Sequence, residues 1–228
     1  MLAAAAIGLI LGLRHAFEPD HLAAVSTLAT RETRLWPAAR LGLAWGVGHT
    51  ATVGIVALLI IALGIRLPES LWPLAELVVA GLLVLLGSVV VWRYARGRWH
   101  LHVHSHQSSV PHVHLHSHAS ATDHEHAHAP ADTRRSLGFG IAHGLAGSGA
   151  VVALLVAAAP DGATRIAHFA AFGLGTIVGM LAVSVTLAAL VRMASARGAQ
   201  WATGIHVGAA LASVIAGFAL AGQVIASR

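Results

Sequence analysis

The chain contains no cysteine, no lysine and no asparagine among its 228 residues, and Tyr94 is its single tyrosine. Without cysteine there is no disulfide, no thiolate nucleophile and no sulfur metal site, and nothing marks a redox compartment. Charged residues are also scarce, at 10% of the chain, where soluble domains carry roughly a quarter. Too little charge is left to coat a water-facing surface, so the apolar excess, 57% of residues, must face a lipid bilayer. The pI of about 11.4 comes from the same scarcity. Almost nothing titrates between histidine and arginine, and a net charge of +5 drives the isoelectric point to the arginine limit. No basic stripe with interleaved aromatics is present, which excludes nucleic acid as a partner. What the chain has in excess is histidine: 17, against 9 Asp and Glu together.

A hydrocarbon core about 30 Å thick takes about 20 apolar residues at helical rise. Six stretches meet that length, near residues 2–29, 40–63, 71–95, 136–159, 163–191 and 200–226. They predict an all-α, polytopic membrane protein. The breaks carry the punctuation of loops: Arg31-Glu32-Thr33-Arg34 with Pro37, Arg66 to Pro73, Pro160-Asp161-Gly162, and Arg192 to Gly198. The first stretch has no basic leading region and ends in Arg14-His15 rather than a small-residue cleavage site, unlike a secretory signal. Ten arginines (Arg31, Arg34, Arg40, Arg93, Arg96, Arg98, Arg134, Arg135, Arg192, Arg197) fall in the 1–2, 3–4 and 5–6 connections, against Arg66, Arg165 and Arg228 on the other side. Arginine-rich short loops stay in the cytosol. This predicts a multi-pass protein of the cytoplasmic membrane, both termini outside and the long 3–4 loop cytosolic.

An internal repeat is visible at an offset of about 128 residues. Gly12-Leu13-Arg14-His15 matches Gly140-Ile141-Ala142-His143, Ala44-Trp45-Gly46-Val47-Gly48 matches Ala171-Phe172-Gly173-Leu174-Gly175, and Trp72, Val78, Ala80 and Leu82 match Trp201, Val207, Ala209 and Leu211. Three spans per repeat is an odd number, so the halves, 1–98 and 134–228, must be inverted relative to one another. Inverted repeats are common in secondary transporters, with the site near the midplane on broken helices; a silent duplication is the alternative. Small-xxx-small pairs such as Gly8/Gly12 and Gly140/Gly144 are assigned to close helix packing.

One polar cluster interrupts the first span: Arg14-His15-Ala16-Phe17-Glu18-Pro19-Asp20-His21. Each ionisable residue costs at least a few kcal/mol in lipid, so five together must face a cavity or partners. At 100° per residue an ideal helix would scatter His15, Asp20 and His21 around its circumference. Pro19 lacks an N–H and clashes with the carbonyl of His15. A break there would bring the three side chains to one side and free that carbonyl, while Arg14 and Glu18 could pair at i and i+4. Two imidazoles and a carboxylate suit Ni²⁺, Co²⁺, Zn²⁺ or Fe²⁺ rather than Cu⁺ or Mg²⁺. The alternative is a buried ion-pair network that only shapes the bundle.

His15-Ala-Phe-Glu-Pro-Asp20-His21 resembles the H-x4-D-H motif of the nickel/cobalt transporter (NiCoT) family, including its short, urease-accessory-like members. Leu41-Gly-Leu-Ala-Trp-Gly-Val-Gly-His49-Thr50 is similar to that family's second motif, and Gly140-Ile-Ala-His143-Gly-Leu-Ala-Gly-Ser148-Gly and Phe172-Gly-Leu-Gly175 to its later ones. A later acidic motif of the larger members reads Gly173-Leu-Gly-Thr-Ile-Val here. The resemblance implies a carrier of Ni²⁺ and/or Co²⁺ with no resident cofactor, in which His15, Asp20 and His21 recognise the ion and His49 contributes. In the repeat alignment His143 matches His15, whereas Asp20, His21 and His49 match Ser148, Gly149 and Thr176. A single asymmetric site is therefore expected, with His143 the contribution of the second half. His168 and His206 are assigned to packing or interhelical hydrogen bonds, and Glu76 either to a path or to the interface.

Eleven further histidines lie in the 99–133 loop: His100, His102, His104, His106, His112, His114, His116, His118, His124, His126 and His128. With no core-forming pattern, the tract is expected to be disordered. Imidazoles bind divalent transition metals, less well as pH falls through an unperturbed pKa of about 6.5. The tract thus reads as an auxiliary cytosolic metal collector or as a solvated linker, and cytosolic metal-handling proteins would be its partners. It fits capture before efflux and buffering after uptake equally. Other functions fit the residues less completely or equally well. A zinc or broad divalent-metal carrier would share the whole architecture. An intramembrane serine protease would use Ser148 and His206 as nucleophile and base, but it leaves His15 to His21 without a role, and an intramembrane metalloprotease lacks its H-E-x-x-H.

Overall fold

A computed structural model of the chain describes residues 1–29, 32–63, 71–96, 99–104, 112–117, 133–147 and 161–226. In chain order these form α1 (Leu2–Ala16), α2 (Pro19–Ala29), α3 (Leu35–Leu63), α4 (Leu71–Ala95), β1 (Trp99–His104), β2 (His112–Ser117), α5 (Thr133–Gly147), α6 (Gly162–Arg197) and α7 (Ala199–Ala226). Among the described residues four helices, α3, α4, α6 and α7, are each long and apolar enough to cross a membrane, and the bent pair of α1 and α2 makes a fifth where it is counted as one span. Of the fourth span expected from the sequence, residues 136–147 lie in α5, and 148–159 fall outside the described residues. The protein is a polytopic helical membrane protein.

The chain breaks beside Pro19, as its sequence predicts, while the contacts made around the break differ from the expected ones. Pro19 opens α2, because a fixed φ and a missing N–H suit the first helical turn. The end of α1 tightens: the Phe17 and Glu18 amides donate to the Arg14 and His15 carbonyls, each at 3.0 Å, a three-residue spacing usual at helix ends. The His15 carbonyl is therefore engaged by Glu18 and not freed. Across this step the axis turns by 59°. Nor do Arg14 and Glu18 pair, since the break takes them off helical i, i+4 geometry; Glu18 Oε2 lies 2.9 Å from His15 Nδ1 instead.

The distribution of side chains is reversed from that of a soluble protein. Ile55, Leu58, Leu74, Leu85, Ile166, Leu174, Ile215 and Phe218 are exposed on the outside, while His15, His21, His49, His143, His168, His206, Thr176 and Ser213 are buried. So much exposed apolar surface would drive a soluble chain to aggregate; in hydrocarbon it is the solvated face. Hydroxyls then tie the helices from within. Ser136 Oγ donates to the Leu41 carbonyl at 2.7 Å and Ser213 Oγ to that of Leu83 at 3.0 Å, interhelical bonds of the kind lipid-embedded bundles use.

Helix pairing follows the glycines. α1 packs on α6, α3 on α5 and α6, and α4 on α7. A Cβ on Gly12 would overlap the Phe172 carbonyl, and one on Gly140 that of Trp45. Gly175 stands against Leu9 and Gly48 against Leu137; Gly173 meets Thr50 and Gly46 meets Ile177; Gly217 meets Ala80 and Gly87 meets Ala210. In every couple the second contact repeats the first, shifted by about 128 residues with the two partners exchanged. At the start of α6, Thr164 donates its amide and hydroxyl to the Asp161 carboxylate, at 2.9 and 2.7 Å. These bonds hold the Asp161 carboxyl below its ordinary value.

Of the His-rich loop, only the two segments Trp99–His104 and His112–Ser117 are described, and they are strands. β1 and β2 pair antiparallel, with His100 opposite His116, His102 opposite His114 and His104 opposite His112. The reason lies in the alternation itself: His-Leu-His-Val-His and His-Val-His-Leu-His have the period of two that a strand requires, with valine favouring extended backbone. His106, His118, His124, His126 and His128 lie outside the described residues, and α5 already begins at Thr133.

Candidate metal centre

Four helices deliver the donors, each for a local reason. His15 lies in the last turn of α1 and Asp20 in the first turn of α2, where the positive end of a helix favours a carboxylate. His21 follows directly, so the break turns three donors into one space. On α3, Trp45 and His49 sit one helical turn apart; on α5, Phe139 and His143 do the same. Trp45 stacks on Phe139 with centroids 6.2 Å apart and planes 13° from parallel. That aromatic layer fixes the facing of α3 and α5 and sets His49 and His143 in the layer above. The His49–His143 ring separation is 5.8 Å.

All five donors singled out in the sequence, His15, Asp20, His21, His49 and His143, meet in one cluster. His15 Nε2 lies 3.2 Å from His49 Nε2. Asp20 bridges two rings: Oδ1 is 3.1 Å from His21 Nδ1, and Oδ2 is 3.1 Å from His143 Nε2. Ring centroids of His21 stand 4.3 Å from both His15 and His143 and 4.9 Å from His49. None of the four histidines is more than 4% exposed. His15, His21 and His49 can offer ligand atoms within 4.8 Å of one another, and so can Asp20, His21 and His143.

The cluster is polar, buried and incompletely satisfied. His21 Nε2 and His49 Nδ1 have no hydrogen-bond partner, and the Glu18 contact on His15 Nδ1 is a close approach without hydrogen-bond alignment. Leaving a buried polar atom unpaired costs about 1–3 kcal/mol. A divalent ion accepting those lone pairs would remove the deficit and balance the Asp20 charge, and the donors are the nitrogen and oxygen types that first-row divalent ions take.

Two residues of this centre carried no such role in the sequence. Trp45, 2% exposed, has its ring 5.8 Å from His143, and Phe172 on α6 has its ring 5.4 Å from His15. The available signal was their match in the repeat, Trp45 to Phe172 beside His143 to His15. Other expected positions stand apart from the cluster. His206 on α7 lies against Tyr94 at 5.4 Å, Glu76 is exposed, and His168 is buried on α6 with Nε2 unpartnered. Ser148 falls outside the described residues.

Apolar spans, a broken first helix and a buried histidine–carboxylate cluster define a polytopic helical membrane protein built around a polar centre. No family model and no solved structure matches the sequence. The urease accessory protein UreH of Bacillus sp. (strain TB-90) is 33% identical over 182 residues, which cover 79% of this chain and 74% of UreH. The chain belongs to the family of UreH.

Proposed function

We propose that the chain carries divalent transition-metal ions, Ni²⁺ and/or Co²⁺, across the cytoplasmic membrane, with His15, Asp20, His21, His49 and His143 as ligands. The observation that carries this reading is the gathering of five nitrogen and oxygen donors from four helices inside an apolar bundle. Ionisable side chains are expensive there and mark a path or a site. A broken span supplies three of them, as substrate sites of secondary transporters do. Kinship with a urease accessory protein adds an accessory rather than catalytic role. The exchanged glycine contacts support two inverted three-helix halves, 1–98 and 134–228, around a single site. The arginine distribution supports termini outside and a cytosolic His-rich hairpin, which would collect metal loosely on that side. Selectivity for nickel or cobalt over zinc rests on the NiCoT-like motif, since imidazole and carboxylate alone accept all three. Accumulation of Ni²⁺ and Co²⁺ in cells expressing the chain tests the assignment. Joint substitution of His15, Asp20 and His21 by alanine is expected to abolish the metal-dependent change, with the protein still inserted. Unchanged accumulation would overturn the site.

A further inference from the structure

Every histidine of β1 stands opposite a histidine of β2: His100 with His116, His102 with His114 and His104 with His112. Composition does not force this. A slip of the pairing by one residue would set each histidine against a leucine or a valine instead. In the register observed, the strand alternation places all six histidines on one face of the hairpin and Leu101, Val103, Val113 and Leu115 on the other. Opposite positions have Cβ atoms roughly 4.5–5.5 Å apart, and diagonal ones roughly 7–8 Å. Next-but-one positions within a strand are about 7 Å apart. Metal–imidazole bonds are only about 2 Å long, so two ring nitrogens converge on one ion with least adjustment when their residues are opposed across the strands. A two-stranded hairpin alone is marginal, but here β1 lies against α4 and α7, and β2 against α6, so the bundle supports the pairing.

From this register we infer that the hairpin is a ladder of three metal positions, each made by one opposed pair of histidines: His100 with His116, His102 with His114, and His104 with His112. The ligating unit is the cross-strand pair, and each ion ties β1 to β2. Imidazole selects the borderline divalent ions, Ni²⁺, Co²⁺, Zn²⁺ and Cu²⁺, over Mg²⁺ and Ca²⁺. Two protein ligands per ion leave the remaining coordination positions to water, so the ions stay exchangeable. A tract of independent histidines would bind in proportion to their number, whereas the ladder binds according to which histidines are opposed. Ion binding by the hairpin rests on its register; its use in supplying a carrier rests on the proposed function.

Equilibrium dialysis of the untagged, detergent-purified full-length chain against Ni²⁺ tests the ladder. In the background chain His15, Asp20 and His21 are changed to alanine to silence the buried cluster, and His106, His118, His124, His126 and His128 to serine. The expected result is three Ni²⁺ per chain, one for each opposed pair. Two double variants then remove the same number of histidines but differ in register. His102→Thr with His114→Thr deletes one pair and should leave two Ni²⁺; His102→Thr with His116→Thr breaks two pairs and should leave one. Threonine keeps the strand preference, so neither double loses the hairpin through propensity. Equal losses in the two doubles would overturn the ladder, and so would a background chain that binds no Ni²⁺. Because the chain has no cysteine, introduced thiols check the register separately in metal-free buffer. Val103→Cys with Val113→Cys, opposed in the hairpin, should form a disulfide on mild oxidation, its Cα atoms lying within the span a disulfide bridges. The diagonal Val103→Cys with Leu115→Cys should form far less, and equal cross-linking of the two would overturn the register on which the ladder stands. Failure of the buried cluster to carry metal leaves all these counts unchanged, so the two readings fall separately.

Discussion

Replacing Gly144 by alanine should damage the centre without touching a ligand. A Cβ at Gly144 would stand 2.7 Å from the His49 carbonyl oxygen and 3.1 Å from both His49 Cα and Thr52 Cβ. The nearest of these atoms are backbone, so no rotamer change relieves the overlap. Reaching ordinary contact requires α3 and α5 to part by about 0.7 Å, which exceeds the roughly 0.5 Å within which a binding constellation must be held. Overpacking of this kind costs about 1–3 kcal/mol. The helix-forming advantage of alanine over glycine, up to about 1 kcal/mol, would partly mask it. Gly138→Ala supplies the control, because it lies on the same helix with nothing within 4 Å of its built Cβ and gains the same propensity. The two variants should therefore differ by about 1–3 kcal/mol, roughly 2–12 °C in melting temperature for a chain of this length. Thermal unfolding of detergent-purified protein followed by circular dichroism reads that difference. Ni²⁺ affinity, measured by calorimetry in a chain with the tract histidines replaced, should fall about 10- to 100-fold in Gly144→Ala only. If the two variants melt together and bind Ni²⁺ alike, the close approach of His49 to α5 is not what organises the centre.

Ser148→Ala should leave Ni²⁺ flux at the wild-type rate, measured by radioactive uptake and exit, because no step uses that hydroxyl; loss of flux would revive the hydrolase reading. Serine in place of all eleven tract histidines should remove the loosely held Ni²⁺ equivalents that equilibrium dialysis detects at about pH 7.5. In the unmodified chain those same equivalents should dissociate as pH is lowered to about 5.5, since a protonated imidazole cannot ligate.

Much of the centre could be read from the residues because each donor carried a local constraint. Pro19 announced a break between His15 and His21, since a helix cannot run through it undisturbed. The repeat singled out His143 by its match to His15. The finer geometry was beyond reach, because it depends on how the break is built. An ideal helix pairs Arg14 with Glu18; a tightened end to α1 gives Glu18 to His15 instead. Proline's preference for a first helical turn moved the break to Phe17-Glu18, which a mid-helix clash argument does not foresee. Trp45 and Phe172 were visible only as members of glycine-rich repeats, since nothing local tells an aromatic that packs against lipid from one that covers a ligand. In the tract, disorder was inferred from composition, whereas the alternation of histidine with valine and leucine has a strand's period and pairs β1 with β2.

On the proposed function, the buried cluster passes metal ions through the membrane. Flux of radioactive Ni²⁺ across proteoliposomes containing the full chain, with His21→Ala reconstituted at equal density, addresses it most directly. The wild-type chain is expected to move Ni²⁺, and His21→Ala no more than empty vesicles. Flux through His21→Ala at the wild-type rate would contradict it.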